Sequence, residues 1–530
     1  MRFLRRRALA GGRRGVSWGA AGLTGIVGLS SALLFVAPAP AEAGLLGGGS
    51  STYIVSAPAG PLSLVLNAVT SVGASVGTTM AFDDAVTTQL NPTEVSLLQA
   101  IPGIVVTPDI TVNVQGSAGH SGSAVYPQQS GADQLWSQGN NGAGVNVAVL
   151  DTGIANLPDF AGRLVDGVDL SGGNNPFQDS YGHGTFVAGL IAGNGASSGG
   201  QYVGEAPGAG LVSVKVAGAS GQTDLATVIQ GVGWTIANQW QDNINVLNMS
   251  LGYLPIESTS VDPLDQAVEK AWESGITVVV SAGNSGPGNG TVLSPGDDPL
   301  VITVGAVDDS GHTNPNTDTM TTFSSVGPTN PDGWYKPDLV TSGRSVVSER
   351  DPGSTIDTEY PTARVGSGNF VGSGTSFSAA IVSGAAALLL AADPAYTPNA
   401  VKGTLLATTN PGPVGNPFVD GHGILNVAGA VSSTPMTLNQ PLFGINISMG
   451  ANVSLEWSGA ASSWNDFNWS GSAWNGSAWN GSAWNGSAWN GSAWNGSAWN
   501  GSAWNGSAWN GSAWNGSAWN GSAWNGSAWN

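Results

Sequence analysis

The stretch that decides the fold is Val147–Ile154, VAVLDTGI. The apolar run Val145–Leu150 is fit for a buried strand, which puts Asp151 at its carboxyl end. Comparable runs recur at Leu211–Val216, Asn245–Ser250, Thr277–Ser281 and Val301–Val304. Helix-period segments fall among and after them, at Asp224–Asn238, Pro263–Ser274, Ser376–Ala391 and Thr397–Thr408. Strand and helix in alternation predict an α/β fold: a doubly wound, mostly parallel sheet with helices on both faces. Ligands in such sheets sit beyond the carboxyl ends of the strands. Asp151, Asn248–Gly252 and Ser281–Asn284 would therefore share one edge.

Two further strings put chemistry on that edge. YGHGTFVAG (181–189) sets His183 between glycines ahead of an apolar helix, and GSGTSFSAA (372–380) sets Ser376 where a small-residue helix begins. A backbone N–H at that helix start lies at its positive end. Serine, histidine and aspartate are what nucleophilic acyl transfer needs: Ser376 attacks, His183 moves the proton, and Asp151 orients the imidazole. The chain reads as a serine hydrolase. The bland alternatives are a strand-end turn for Asp151, a structural histidine at 183 and a plain helix cap at Ser376. The other histidines, His120, His312 and His422, lie in glycine-rich loops or turns.

Composition and the chain ends bound the rest. There is no cysteine, which removes disulfides, thiolate catalysis and cysteine metal sites. Residues 1–14 hold six arginines, an apolar stretch runs from about Gly19 to Val36, and Ala41-Glu42-Ala43 offers a small-residue cleavage site. Residues 1–43 thus read as a signal peptide, and the rest as exported and extracellular. Residues 44–530 then carry 8 basic and 33 acidic side chains, net −25, which disfavours nucleic acid and anionic membranes as partners.

Residues 44–130 read as a small α+β unit plus linker. TYIVS (52–56) and IVVTPDITVNV (104–114) give strands, Pro61–Ser75 a helix, and Asn91-Pro92-Thr93-Glu94 a capped helix start. Gly116–Ser130 reads as a Gly/Ser-rich linker within which the chain would be cut. The α/β unit spans 131–430, and a Ser/Asn/Gly-rich connector spans 431–470. A tail follows at 471–530, GSAWN repeated twelve times and holding twelve of the 21 tryptophans. The tail is either a low-complexity flexible segment or an array whose indoles stack on cell-wall or polysaccharide sugars.

On the three motifs and on VVVSAGNSGP (278–287), the chain resembles the subtilisin-like serine peptidases over about 131–430. A weaker resemblance to their inhibitor-type propeptide covers about 51–115. The resemblance implies a secreted endopeptidase made as a zymogen, acting on protein or peptide substrates and inhibited by its own propeptide. Asp151, His183 and Ser376 would be the triad and Asn284 the oxyanion amide. Asn248-Met249-Ser250-Leu251-Gly252 would offer Ser250, Leu251 and Gly252 as an edge for an extended peptide. Leu293, counted back from Ser294-Pro295-Gly296, would shallow the first specificity pocket toward small or medium apolar side chains.

Two departures stand out: Ala380 replaces a usual proline, and the loop Gly193–Gly204 lacks the aspartates of the family's strong calcium loop. No cofactor or metal site is expected, although Asp297-Asp298 and Asp308-Asp309 are calcium candidates more ordinarily read as solvated pairs. Two other functions fit the residues: a surface-binding protein whose protease domain is a scaffold, and an acyl transferase or peptide cyclase using the same triad.

Overall fold

The structure is a computed structural model that describes residues 50–438, apart from 115, 116, 119–121 and 123. The expected signal peptide, the tail and most of the connector lie outside the described residues.

The N-terminal part is β1 (Ser51–Ser56), α1 (Leu62–Ser71), β2 (Val76–Met80), β3 (Ala85–Leu90), α2 (Pro92–Gln99) and β4 (Val105–Pro108). The four strands form an antiparallel sheet in the order β2-β3-β1-β4. Val55, Val65, Val86 and Leu98 form a core of their own there. The α2 start matches its sequence signal: Asn91 Oδ1 accepts from the Thr93 and Glu94 amides, and Glu94 accepts from the Asn91 amide at 2.8 Å.

Next come β5 (Thr111–Val114), β6 (Ser117–Ala118), α3 (Tyr126–Ser130) and α4 (Ala132–Ser137). The linker expected over 116–130 is thus partly ordered. Tyr126 and Gln129 are buried, and Gln129 Nε2 donates to Asp318 at 2.9 Å, so the end of this stretch packs on the α/β body. A Gly/Ser-rich composition hid these two anchors.

The body continues with β7 (Asn146–Asp151), β8 (Leu164–Asp169), α5 (His183–Ala192), β9 (Gly210–Lys215), β10 (Gln222–Asp224) and α6 (Leu225–Asn238). Then follow β11 (Ile244–Met249), β12 (Leu251–Gly252), α7 (Pro263–Glu273), β13 (Thr277–Ser281), β14 (Ile302–Asp308), β15 (Thr319–Met320) and β16 (Leu339–Ser342). The last elements are β17 (Val346–Glu349), α8 (Thr355–Glu359), β18 (Arg364–Val365), β19 (Asn369–Ser373), α9 (Thr375–Ala392), α10 (Pro398–Ala407) and α11 (Val427–Ser432).

Strands β8-β9-β7-β11-β13-β14-β16 lie side by side, all parallel, with β15 antiparallel on β14. From β7 the order runs one way to β9 and β8 and the other way to β11. The crevice between β7 and β11 is therefore the topological switch point where such sheets hold ligands. Asp151 ends β7, and Ser250 follows β11.

Helix α9 lies against β11, β13, β14 and α5. By length and composition it could cross a membrane, but 89% of it is buried inside the body, where it serves as the central core helix. Near the far end of the sheet Asp338 holds two buried lysines, Lys336 Nζ at 2.7 Å and Lys402 Nζ at 3.1 Å.

Candidate active site

The histidine and the aspartate meet across α5 and β7. Both carboxylate oxygens of Asp151 lie at hydrogen-bond distance from His183 Nδ1, at 2.8 and 2.9 Å, and both residues are buried. Their approach depends on glycine. A Cβ on Gly184 would lie 2.2 Å from the Gly153 carbonyl oxygen, so the first turn of α5 can rest on the Asp-Thr-Gly turn only without a side chain there.

Asp179, which the sequence reading passed over, braces both motifs. It accepts from Thr152 Oγ1 at 2.8 Å, the Gly182 amide at 2.7 Å and the Thr185 amide at 2.8 Å. Burial raises its pKa and these donors pull it back. A lone aspartate in the PFQDSYG run carries no pattern that announces this role.

Ser376 is the second residue of α9, and the ring of its neighbour Phe377 lies 5.6 Å from the His183 ring. The α9 start thus stands beside the imidazole. The Ser376 hydroxyl donates to the Ser250 carbonyl at 3.1 Å, and Ser250 Oγ donates back to the Ser376 carbonyl at 2.9 Å. Asn248 Nδ2 donates to Ser250 Oγ at 3.0 Å, tying the end of β11 to α9.

Asn284 lies just beyond the carboxyl end of β13. Its Oδ1 accepts twice from Thr375, from the amide at 2.9 Å and from the hydroxyl at 3.0 Å. With the oxygen end so engaged, the Nδ2 end is the one available as a donor. Thr375 Oγ1 also accepts from the Gly283 amide at 3.1 Å. The sequence sets Thr375 directly before Ser376 without a sign of this contact, which is visible only in three dimensions.

The residues expected to bind substrate line the same crevice. Strand β5 enters it between β10 and β12, antiparallel to both, with Asn113 opposite Gln222 and Gly252, and Val114 opposite Leu251. Strand β6 pairs with β19, Ser117 opposite Ser373 and Ala118 opposite Gly372. Leu293 is wedged between Gly252 and Gly283: a Cβ on Gly283 would come within 2.6 Å of Leu293 Cγ.

The acidic pairs are not simply solvated. Asp297 and Asp298 are buried behind Ser294, and burial together with Asp262 and Asp298 holds Asp297 well above the usual carboxylate range. Asp308 and Asp309 are spent on local turns and on Arg344 and Ser342. Among the described residues no group of three or more His, Asp or Glu side chains is arranged to hold a metal.

The N-terminal part docks beside this crevice. The Phe82 ring rests on Gly233 of α6, where a Cβ would lie 2.3 Å from it; Lys270 Nζ meets Asp83 Oδ1 at 3.2 Å; and Thr107 Oγ1 donates to Glu257 at 3.0 Å.

Comparison with known proteins agrees with this geometry. The model of the Subtilase family matches residues 142–429. Serine protease AprX of Bacillus subtilis is 44% identical over 296 residues, covering 55% of this chain and 66% of that protein. Subtilisin DY of Bacillus licheniformis is 35% identical over 303 residues, 56% of this chain and 95% of that protein. Among solved structures, fervidolysin from Fervidobacterium pennivorans, a keratinolytic enzyme related to subtilisin, superposes with a TM-score of 0.57 at 23% identity. That superposition covers 73% of this chain and 61% of that one, and speaks for the fold alone. More than half of the chain matches the family model. The chain belongs to the subtilase family of serine peptidases.

Proposed function

We propose that this chain is a secreted endopeptidase made as a zymogen, cutting peptide bonds through an acyl-enzyme on Ser376. His183 takes the hydroxyl proton as Ser376 Oγ bonds to the scissile carbonyl carbon, and Asp151 keeps Nδ1–H in place and offsets the imidazolium charge. The carbonyl oxygen, now an oxyanion, receives Asn284 Nδ2–H and the Ser376 N–H. His183 returns the proton to the leaving amine as the C–N bond breaks. Water, deprotonated by the same imidazole, then releases the acyl group and restores Ser376.

The observation that carries this reading is the seat of β5. Residues 111–114 add a strand between β10 and β12, as an extended substrate would. The cut is read within 114–117, a reading supported by the pairing of Val114 with Leu251 of β12 and of Ser117 with Ser373 of β19. The sequence reading put it within 116–130. The β1–β4 unit is then the inhibitor, holding its own product strand in the cleft.

The test is N-terminal sequencing of the secreted form, with fluorophosphonate labelling of wild type and Ser376→Ala. A new N-terminus at 115–117 and labelling of wild type alone are expected. Unlabelled wild type after removal of the N-terminal part would sink the reading, and an acyl product on an added amine in place of free acid would redirect it to transfer.

A further inference from the structure

A cavity of about 220 Å³ opens between α7 and two loops, and none of the residues lining it takes part in the steps above. Glu269 of α7 lines it from one side, and Ser258, Thr259 and Ser260 from the loop that joins β12 to α7. Asp332 and Trp334 line it from the turn 329–334, which the Thr329 amide closes on the Trp334 carbonyl at 3.0 Å. The two loops are tied to each other, because the Thr259 amide donates to Asp332 Oδ2 at 2.7 Å.

The charge here is one-sided. Two carboxyls line the cavity and no basic side chain does. The lysines around this cluster are engaged elsewhere: Lys270 Nζ meets Asp83 at 3.2 Å, while Lys336 and Lys402 meet Asp338. Glu269 is 6% exposed, and among the described residues no amide, hydroxyl or lysine donates to its carboxyl. What faces it is charge of its own sign: Asp298 from the loop before β14, Glu273 and Asp265 from α7 itself, and Asp332 across the cavity. Burial, then Asp298 and Glu273, push the Glu269 carboxyl up to about 9, with Lys270 pulling the other way. A buried carboxyl that opens on a cavity without a counter-ion is a place for a cation.

The chemistry narrows the class of cation. A metal ion needs several ligands at fixed distances, and among the described residues no three His, Asp or Glu side chains are arranged for one. A primary ammonium asks for less. Its three N–H donors need a carboxylate or two and hydroxyl oxygens, and an aromatic wall suits its charge. Glu269, Asp332, the hydroxyls of residues 258–260 and Trp334 make up that set. A cavity of about 150 Å³ holds a benzene ring, so this one has room for a short alkyl stem behind the charged head.

We propose that this cavity is a binding site for a primary alkylammonium ion, held by Glu269 and Asp332. On binding, the Glu269 carboxyl releases its proton to solvent and the carboxylate accepts the ammonium N–H groups. A free amine and a lysine side chain on a peptide offer the same head group. The occupant joins α7 to the loop that leaves β12, the strand paired with β5.

The test is calorimetric titration of the full Ser376→Ala chain, which cannot digest itself. The probes are butylammonium chloride, N-acetyl-lysine methylamide and, as a compact cation, potassium chloride. Saturable binding of an amine should release about one proton at pH 7, and its Kd should fall about tenfold per unit from pH 6 toward 9. Whichever amine binds more tightly names the source. Glu269→Gln keeps the size and neutrality of the empty site. It should bind about as well as wild type at pH 6 and about tenfold or more weakly at pH 9, with no proton released. Absence of saturation, potassium bound as tightly as the amines, or an unchanged affinity of the variant at pH 9 overturns the site. Where the variant fails to fold, the wild-type chain decides: amine binding without proton release overturns the pairing with Glu269.

Discussion

Replacing Thr375 by valine separates the oxyanion donor from the residue that aims it. The valine keeps the backbone N–H that reaches Asn284 Oδ1 at 2.9 Å, but loses the hydroxyl that reaches the same atom at 3.0 Å. One of two anchors on the amide is removed. A neutral hydrogen bond of this kind contributes about 1 kcal/mol net. Full loss of an oxyanion donor in a subtilisin costs about 3 kcal/mol. Thr375→Val should therefore lower kcat by about five- to tenfold. Asn284→Ala should lower it by about 10²–10³, with KM little changed in both, because the oxygen carries its charge only in the transition state. The same hydroxyl accepts from the buried Gly283 amide at 3.1 Å, so the valine variant should also lose about 1–3 kcal/mol of stability. Thr375→Ser keeps the hydroxyl and should recover kcat. The assay is kcat and KM on a peptide anilide, corrected for active sites by burst titration. A rise in KM at constant kcat, or a serine variant as impaired as the valine one, would refute the claim that Thr375 acts through Asn284.

Leu293→Gly opens the space between Gly252 and Gly283. It should raise kcat/KM for aromatic residues before the cut bond by about tenfold, and wild-type enzyme that already prefers them would contradict the reading. Asp338→Asn leaves Lys336 and Lys402 without their shared counterion at 2.7 and 3.1 Å. It should cost about 3–5 kcal/mol, read as a lowered urea midpoint in a Ser376→Ala background that cannot digest itself. Asp83 faces Lys270, with Asp84 and Asp262 near, and burial raises its pKa to about 7 against an ordinary value of 3.8. A raised carboxyl favours the docked state at low pH, and that contribution fades as pH rises from about 4 through 7. Gel filtration of the processed complex should show the N-terminal part retained at pH 5 and released more readily at pH 8, with the difference reduced in Asp83→Asn.

What the sequence disclosed and what it hid divide along a physical line. Val147–Leu150 and Thr277–Ser281 are wholly buried, so their strands are written as unbroken apolar runs, and the observed bounds differ from the expected ones by a residue or so. Helix α9 shows in the same way through its small residues. Strands β2, β3 and β17–β19 were not read. They are short or carry few apolar residues, as in VGTTM for β2 and RV for β18, and β17 pairs with a distant partner, Val346 with Gly372. The four motif residues stand out in the sequence because each sits beside glycines or at an element end that its own neighbours specify. Asp179 and Thr375 were not, because each works by reaching a second motif across the fold. Asp297 and Asp298 were misjudged for a related reason: a DD pair reads as surface until β14 and α7 are known to close over it.

The seat of β5 also says which contacts decide specificity. A strand paired on both edges is recognised through its backbone, which every sequence offers, so β10 and β12 supply affinity with little discrimination. Discrimination has to come from the side-chain pockets at either side of Ser376. Leu293, set between Gly252 and Gly283, is the side chain placed to narrow such a pocket, which is what Leu293→Gly tests.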